Sequence, residues 1–152
     1  MGRSIGSLTD PLQSKTVSRA VPEHVTHIRV RYAETDQMGV VYHANYLIWM
    51  EVARTELCKR NGFRYRDMEG GDGILLAVTE ANCRYLAAAR YDDEIAVAAS
   101  IAEANRRFVT FEYEMRCEGR KVATGHTKHI FLSREMRPVR LPDKYAPLFG
   151  IE

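Results

Sequence analysis

Asp36 is the residue of this 152-residue chain whose neighbours most suggest chemistry. It stands in Arg31-Tyr32-Ala33-Glu34-Thr35-Asp36-Gln37-Met38-Gly39-Val40-Val41-Tyr42-His43-Ala44-Asn45-Tyr46, where a strand pattern ends, a loop carries a carboxylate and a helical pattern begins. Gly39 gives that loop backbone freedom. The first turn of a helix leaves backbone N–H groups unpaired, so Asp36 is expected to lie close to donors that can hold a developing negative charge. A carboxylate beside such a pocket suits attack on a carbonyl. The alternative role is an Asx-turn or capping aspartate that satisfies the N–H groups of its own loop.

The elements that must position this loop are legible as changes of period. From Val25 to Tyr32 the even residues Thr26, Ile28, Val30 and Tyr32 form the more apolar face of a strand. After the loop, Tyr46, Met50, Ala53 and Leu57 recur at helical spacing, with Leu47 and Ile48 widening the stripe. Asn45 or a start nearer His43 would begin this helix; Lys59 and Arg60 fall in its last turn and Gly62 ends it. Phe63 to Gly73 reads as a connection with a short helical turn around Tyr65 to Met68. Four strands follow. Leu75 to Ala87 places Ala77, Ala81, Cys83, Tyr85 and Ala87 opposite Glu80, Asn82 and Arg84, and Tyr91-Asp92-Asp93 turns the chain into Glu94 to Ala102. Val109 to Cys117 alternates most clearly, and Glu118-Gly119-Arg120 turns it into Lys121 to Leu132. All five prolines lie outside Glu23 to Arg137. One strand, one long helix and four strands with short connections predict an α+β fold, an antiparallel sheet with its helix on one face.

The composition narrows the function classes. With 45% hydrophobic residues the chain can bury one core, expected to span residues 23–152, behind an N-terminal extension over residues 1–22 that lacks the apolar run of a signal peptide. Its 22 basic and 20 acidic residues nearly cancel without long blocks, which gives no argument for a nucleic-acid partner. No apolar run approaches the ~20 residues that span a bilayer, so no membrane insertion is expected. Cys58, Cys83 and Cys117, odd in number and without a CxxC pair, suit a reducing cytoplasm. His24 with His27, and His126 with His129, are odd-spaced on strands and point to opposite faces, so neither pair is expected to bind a metal.

The run from Tyr32 to Tyr46, followed by Glu51-x-Ala53-Arg54-x-Glu56, resembles the 4-hydroxybenzoyl-CoA thioesterase family of hotdog-fold proteins. Within it the likeness is strongest to the bacterial acyl-CoA thioesterases associated with the Tol–Pal system. It extends from about His24 to about Tyr145, through Tyr85-Leu86-Ala87-Ala88-Ala89-Arg90-Tyr91-Asp92-Asp93 and Arg137-Pro138-Val139-Arg140-Leu141-Pro142, with Ala88 where the family usually carries proline. The resemblance implies a five-stranded antiparallel sheet wrapped around one long helix, in a homodimer or homotetramer whose sites lie between subunits. It implies an acyl-CoA substrate, with coenzyme A entering as part of the substrate and no separate cofactor.

Residue by residue, the resemblance puts the catalytic carboxylate on Asp36, as nucleophile or as general base for water, and the carbonyl-polarising backbone N–H on His43. Val41 and Tyr42 are then expected to line the acyl pocket, with Trp49 nearby. Arg106 and Arg107 are expected to meet the phosphates of coenzyme A, with Arg90 a further cation, since arginine forks suit phosphate oxygens. Glu51 is a back-up carboxylate two helical turns beyond His43, its other role being an ion pair with Arg54. A hotdog domain can also bind without turnover, so the alternative is a non-catalytic module for an acyl-CoA or acyl-carrier-protein group.

Overall fold

The computed structural model describes residues 21–152, so the expected extension over residues 1–22 lies almost wholly outside the described residues. Strand β1 spans His24–Arg29, helix α1 spans Asn45–Arg60, and β2 (Leu75–Tyr85), β3 (Glu94–Ala104), β4 (Phe108–Cys117) and β5 (Arg120–Leu132) follow. All four pairings are antiparallel, in the order β1-β3-β4-β5-β2. The long crossover through α1 carries the chain from one sheet edge to the other, and β3 then returns to pair with β1, His24 opposite Ala99 and Arg29 opposite Glu94.

Alternation sorts the side chains into an inner and an outer face. Ile95, Val97 and Ala99 of β3, Val109, Phe111, Tyr113 and Met115 of β4, and Phe131 of β5 are buried against Tyr46, Trp49, Met50, Ala53 and Leu57 of α1. Gly125 of β5 lets the layers approach, since a Cβ there would stand 2.5 Å from Met50 Cε and 2.3 Å from the Asn82 carbonyl oxygen. The sheet can thereby curve around the helix.

Three expectations are corrected. Leu47 and Ile48 do not widen the buried stripe; they are exposed, and Trp49 and Cys58 take that place. The first strand stops at Arg29, and Tyr32 sits exposed in a turn of 3-10 helix over Tyr32–Glu34. The alternation expected for β2 is lost: a register shift between Val78 and Glu80 exchanges the faces, and as an edge strand β2 leaves both Val78 (52%) and Tyr85 (47%) open to solvent.

A polar chain runs through the core. The Tyr113 hydroxyl lies 2.7 Å from Thr127 Oγ1, which lies 2.8 Å from His129 Nε2, and His129 Nδ1 has no partner among the described residues. His126, three residues before His129, points the other way and meets Glu80 at 2.8 Å. Burial, with the Arg54 charge adding to it, pushes the His129 pKa down to about 3. The imidazole is therefore neutral in the fold, whereas the unfolded chain takes up a proton near the ordinary value of 6.5. Above pH 6.5 this group adds no pH dependence; between about 6.5 and 3 only the unfolded chain is protonated, and stability falls as the pH falls. Thermal midpoints taken from pH 8 to pH 4 are expected to drop more steeply below pH 6.5 in the wild type than in His129→Gln.

Candidate active site

Residues 35–41 form a tight loop closed by its own backbone: Asp36 N–H donates to the Val40 carbonyl at 2.9 Å and Gly39 N–H to the Asp36 carbonyl at 3.0 Å. Gly39 has φ +78°, which favours glycine. Met38 N–H donates to Asp36 Oδ1 at 2.8 Å, an Asx-turn, while Oδ2 has no hydrogen bond to a described residue. The Asx-turn role read from the sequence is thus real but occupies one oxygen only.

Glu34 fixes this loop to the helix, a role the residue spacing did not signal. Its carboxylate is buried and accepts hydrogen bonds from Arg31 N–H at 2.9 Å and Trp49 Nε1–H at 2.7 Å, and its carbonyl accepts from Tyr42 N–H and Asn45 Nδ2, each at 2.8 Å. Burial alone would raise its pKa, but the hydrogen bonds from Arg31 and Trp49 outweigh burial and hold it below the ordinary value. Val41 N–H donates to the Ala89 carbonyl at 2.8 Å, tying the loop to the sheet side.

The start of α1 is irregular. Asn45 is its first residue rather than its cap, and its side chain is spent on Glu34. Asn45 N–H returns to the Tyr42 carbonyl and Leu47 N–H to the Ala44 carbonyl, and the N–H groups of His43 and Ala44 have no hydrogen bond to a described residue. These are orphan donors at the positive end of a 16-residue helix.

Asp36, Met38, Val40 and Val41 of the loop, His43 and Tyr46 of the helix start, Tyr85 at the end of β2, and Leu86, Ala87 and Ala88 beyond it line an open cavity of about 360 Å³. Tyr85 is the member that sequence reasoning missed as a site residue. Its hydroxyl donates to the His43 carbonyl at 2.9 Å, and its ring stands edge-on to Tyr46, with centroids 5.0 Å apart. Although the residue is half exposed, partial desolvation of its hydroxyl, reinforced by Cys83 and Tyr46, pushes its pKa up to about 12, so it remains a donor at neutral pH.

The structure therefore brings Asp36, Val41 and His43 together around one cavity. Arg90 is at its margin, with Nη1 3.4 Å from the Gly39 carbonyl oxygen. Tyr42 stacks obliquely on His43 with ring centroids 4.5 Å apart but does not line the cavity, and Trp49 belongs to the core. Glu51 is exposed and has no ion pair among the described residues; Arg54 turns instead to the Tyr113 hydroxyl, and the pair that forms on α1 is Glu56 with Lys59 at 3.0 Å. Arg106 and Arg107 lie past the other end of β3, which spans 11 residues, on the order of 35 Å at the rise of a strand. Arg106 there holds the Leu141 carbonyl at 3.1 Å and Asp143 at 2.7 Å. A single chain does not bring that pair to Asp36.

The sequence profile of the thioesterase-like superfamily matches residues 30–148, which include every element from the Asp36 loop to β5. This chain belongs to the thioesterase-like superfamily. Its relatives include YneP of Bacillus subtilis, 41% identical over 115 residues that make up 74% of this chain and 83% of that protein. The acyl-CoA thioesterase YbgC of Haemophilus influenzae is 28% identical over 123 residues, 80% of this chain and 90% of that one. Among solved structures, the DHNA-CoA thioesterase of Staphylococcus aureus superimposes with a TM-score of 0.78 at 38% identity, covering 82% of this chain and 84% of that one. The five-stranded antiparallel sheet around α1 is the hotdog arrangement of this superfamily.

Proposed function

We propose that this protein hydrolyses an acyl-CoA thioester to the free acid and coenzyme A at the Asp36–His43 cavity. The observation that carries the reading is one cavity lined both by Asp36, whose Oδ2 has no hydrogen bond to a described residue, and by His43, whose N–H has none either. The thioester oxygen accepts a hydrogen bond from His43 N–H, which stabilises the charge that develops there; one such donor is worth roughly 10²–10³ in rate. Asp36 either attacks the carbonyl carbon, expelling the CoA thiolate and leaving an anhydride that water opens, or takes a proton from the water that attacks. Both routes consume one water. Val40, Val41, Leu86, Ala87 and Ala88 give the acyl group an apolar surface. The experiment is a thiol-release assay over short-chain, long-chain and aromatic acyl-CoAs. Turnover of at least one supports the reading, whereas tight binding with no hydrolysis across the panel supports the binding module instead.

The site is completed by a second copy of the chain. The outer edge of β2 is unpaired among the described residues, and Val78, Tyr85 and Leu86 there, with Leu47, Ile48 and Val52 of α1, expose apolar side chains. Pairing β2 with its copy about a two-fold axis is antiparallel, so the Leu75 end of one strand meets the Tyr85 end of the other. That end carries Leu132, paired with Leu75, and Arg107, whose carbonyl accepts from Phe131 N–H. The partner's Arg106 and Arg107 would thereby approach the Asp36 loop and the CoA phosphates. Replacing both with Ala is expected to raise KM for acyl-CoA about tenfold, the effect of about 1.4 kcal/mol, with little change for a pantetheine thioester. Mixing Asp36→Asn chains with the double-arginine variant is expected to restore turnover at wild-type KM, because one site of each mixed dimer is intact. If mixing restores nothing, the nucleotide is held elsewhere.

A further inference from the structure

The His43 carbonyl is left out of the helix ladder. In a regular α-helix Leu47 N–H would donate to it, but Leu47 N–H donates to the Ala44 carbonyl at 3.2 Å. The His43 carbonyl is instead met from outside by the Tyr85 hydroxyl at 2.9 Å, across 42 residues of sequence. Tyr85 is itself well held: the chain beside it is fixed by Leu86 and Ala87 N–H donating to the Val122 carbonyl, and its ring is braced by Tyr46 and His43, with centroids 5.0 and 6.3 Å away. A carbonyl so restrained limits rotation of His43, whose own N–H has no partner among the described residues.

We propose that Tyr85 is a positioning residue for the carbonyl-polarising donor: through its hydrogen bond to the His43 carbonyl it fixes the helix-start backbone so that His43 N–H stays aimed across the cavity from Asp36. This rests on the thioesterase reading. It assigns to the sheet side of the cavity a share in rate rather than in binding, because preorganised donors act on charge that develops only as the carbonyl is attacked. Tyr85 touches no reacting atom; it acts through His43.

The test compares Tyr85→Phe, which keeps the ring and removes the hydroxyl, with the wild type. The expected result is a fall in kcat of about tenfold, with KM within about twofold and the thermal midpoint within about 2 °C. A second readout uses an acyl-CoA labelled with ¹³C at the carbonyl and bound to Asp36→Asn, which is followed by infrared difference spectroscopy. The carbonyl stretch is expected to shift to lower frequency on binding, and at least about half of that shift should disappear when Tyr85→Phe is added. Wild-type kcat in Tyr85→Phe, or a full carbonyl shift in the double variant, overturns the proposal, as does a loss of kcat that only tracks a loss of stability. Absence of turnover in the wild type would sink the thioesterase reading alone, because the infrared comparison still reads Tyr85 in a chain that binds the thioester without cleaving it.

Discussion

Asp36→Asn is expected to lower kcat for acyl-CoA hydrolysis by about 10²–10⁴-fold, the range for loss of a positioned general base. Asparagine is nearly isosteric and keeps an oxygen to accept the Met38 N–H, so the loop held by the bonds of Asp36 to Val40 and of Gly39 to Asp36 should survive. What it lacks is the charge and basicity of the second oxygen. Stability and KM should therefore change little, which separates lost chemistry from lost folding. Glu51→Gln is the matched control: that carboxylate is exposed on α1 and does not line the cavity, so kcat is expected to stay within about twofold of wild type. Activity that survives Asp36→Asn and disappears in Glu51→Gln would transfer the role.

Glu34→Ala is expected to cost about 3 kcal/mol of stability, because it leaves two donors, the buried Trp49 indole N–H and the Arg31 N–H, without their acceptor at about 1–3 kcal/mol each. At about 2–4 °C per kcal/mol for a chain of this size, the thermal midpoint should fall by roughly 10 °C. Because the folded Glu34 carboxyl has a pKa below the ordinary 4.5, its contribution is present above that pH and is lost as the pH falls through the lower folded value. Denaturation at pH 7 and pH 4 checks both points: the gap between wild type and variant should be wider at pH 7. Turnover should fall as well, since the Asp36 loop and the first turn of α1 are both referred to Glu34.

The contrast between Glu34 and Asp36 shows what a sequence can disclose. Asp36 announces itself because a strand pattern stops before it and a helical pattern starts after it, so its neighbourhood is set by local chain geometry. Glu34 meets Trp49 fifteen residues on, and Tyr85 meets His43 across 42; neither separation belongs to a helix or strand period, and only the folded sheet creates the contacts. The same reason explains Arg106 and Arg107. Their place at a strand entrance was legible, but the order β1-β3-β4-β5-β2 that sets them far from Asp36 depends on pairing between distant strands. The alternation of β4 is clear because the strand is central, with one face on α1, whereas the register shift and exposed edge of β2 erase the alternation on which such a reading depends. Periodicity alone gives no reason to place Asp36 and His43 together; the family motif does, and both residues line the one cavity.

Single-turnover hydrolysis tests the central claim most directly, with protein in excess over an acyl-CoA that the panel shows to be bound and free thiol followed in time. It removes product release from the rate. The wild type is predicted to release one equivalent of coenzyme A per acyl-CoA in a single phase, and Asp36→Asn, bound to the same thioester, to release it at least about a hundredfold more slowly. Equal rates from the two proteins, or no thiol from either, would contradict it.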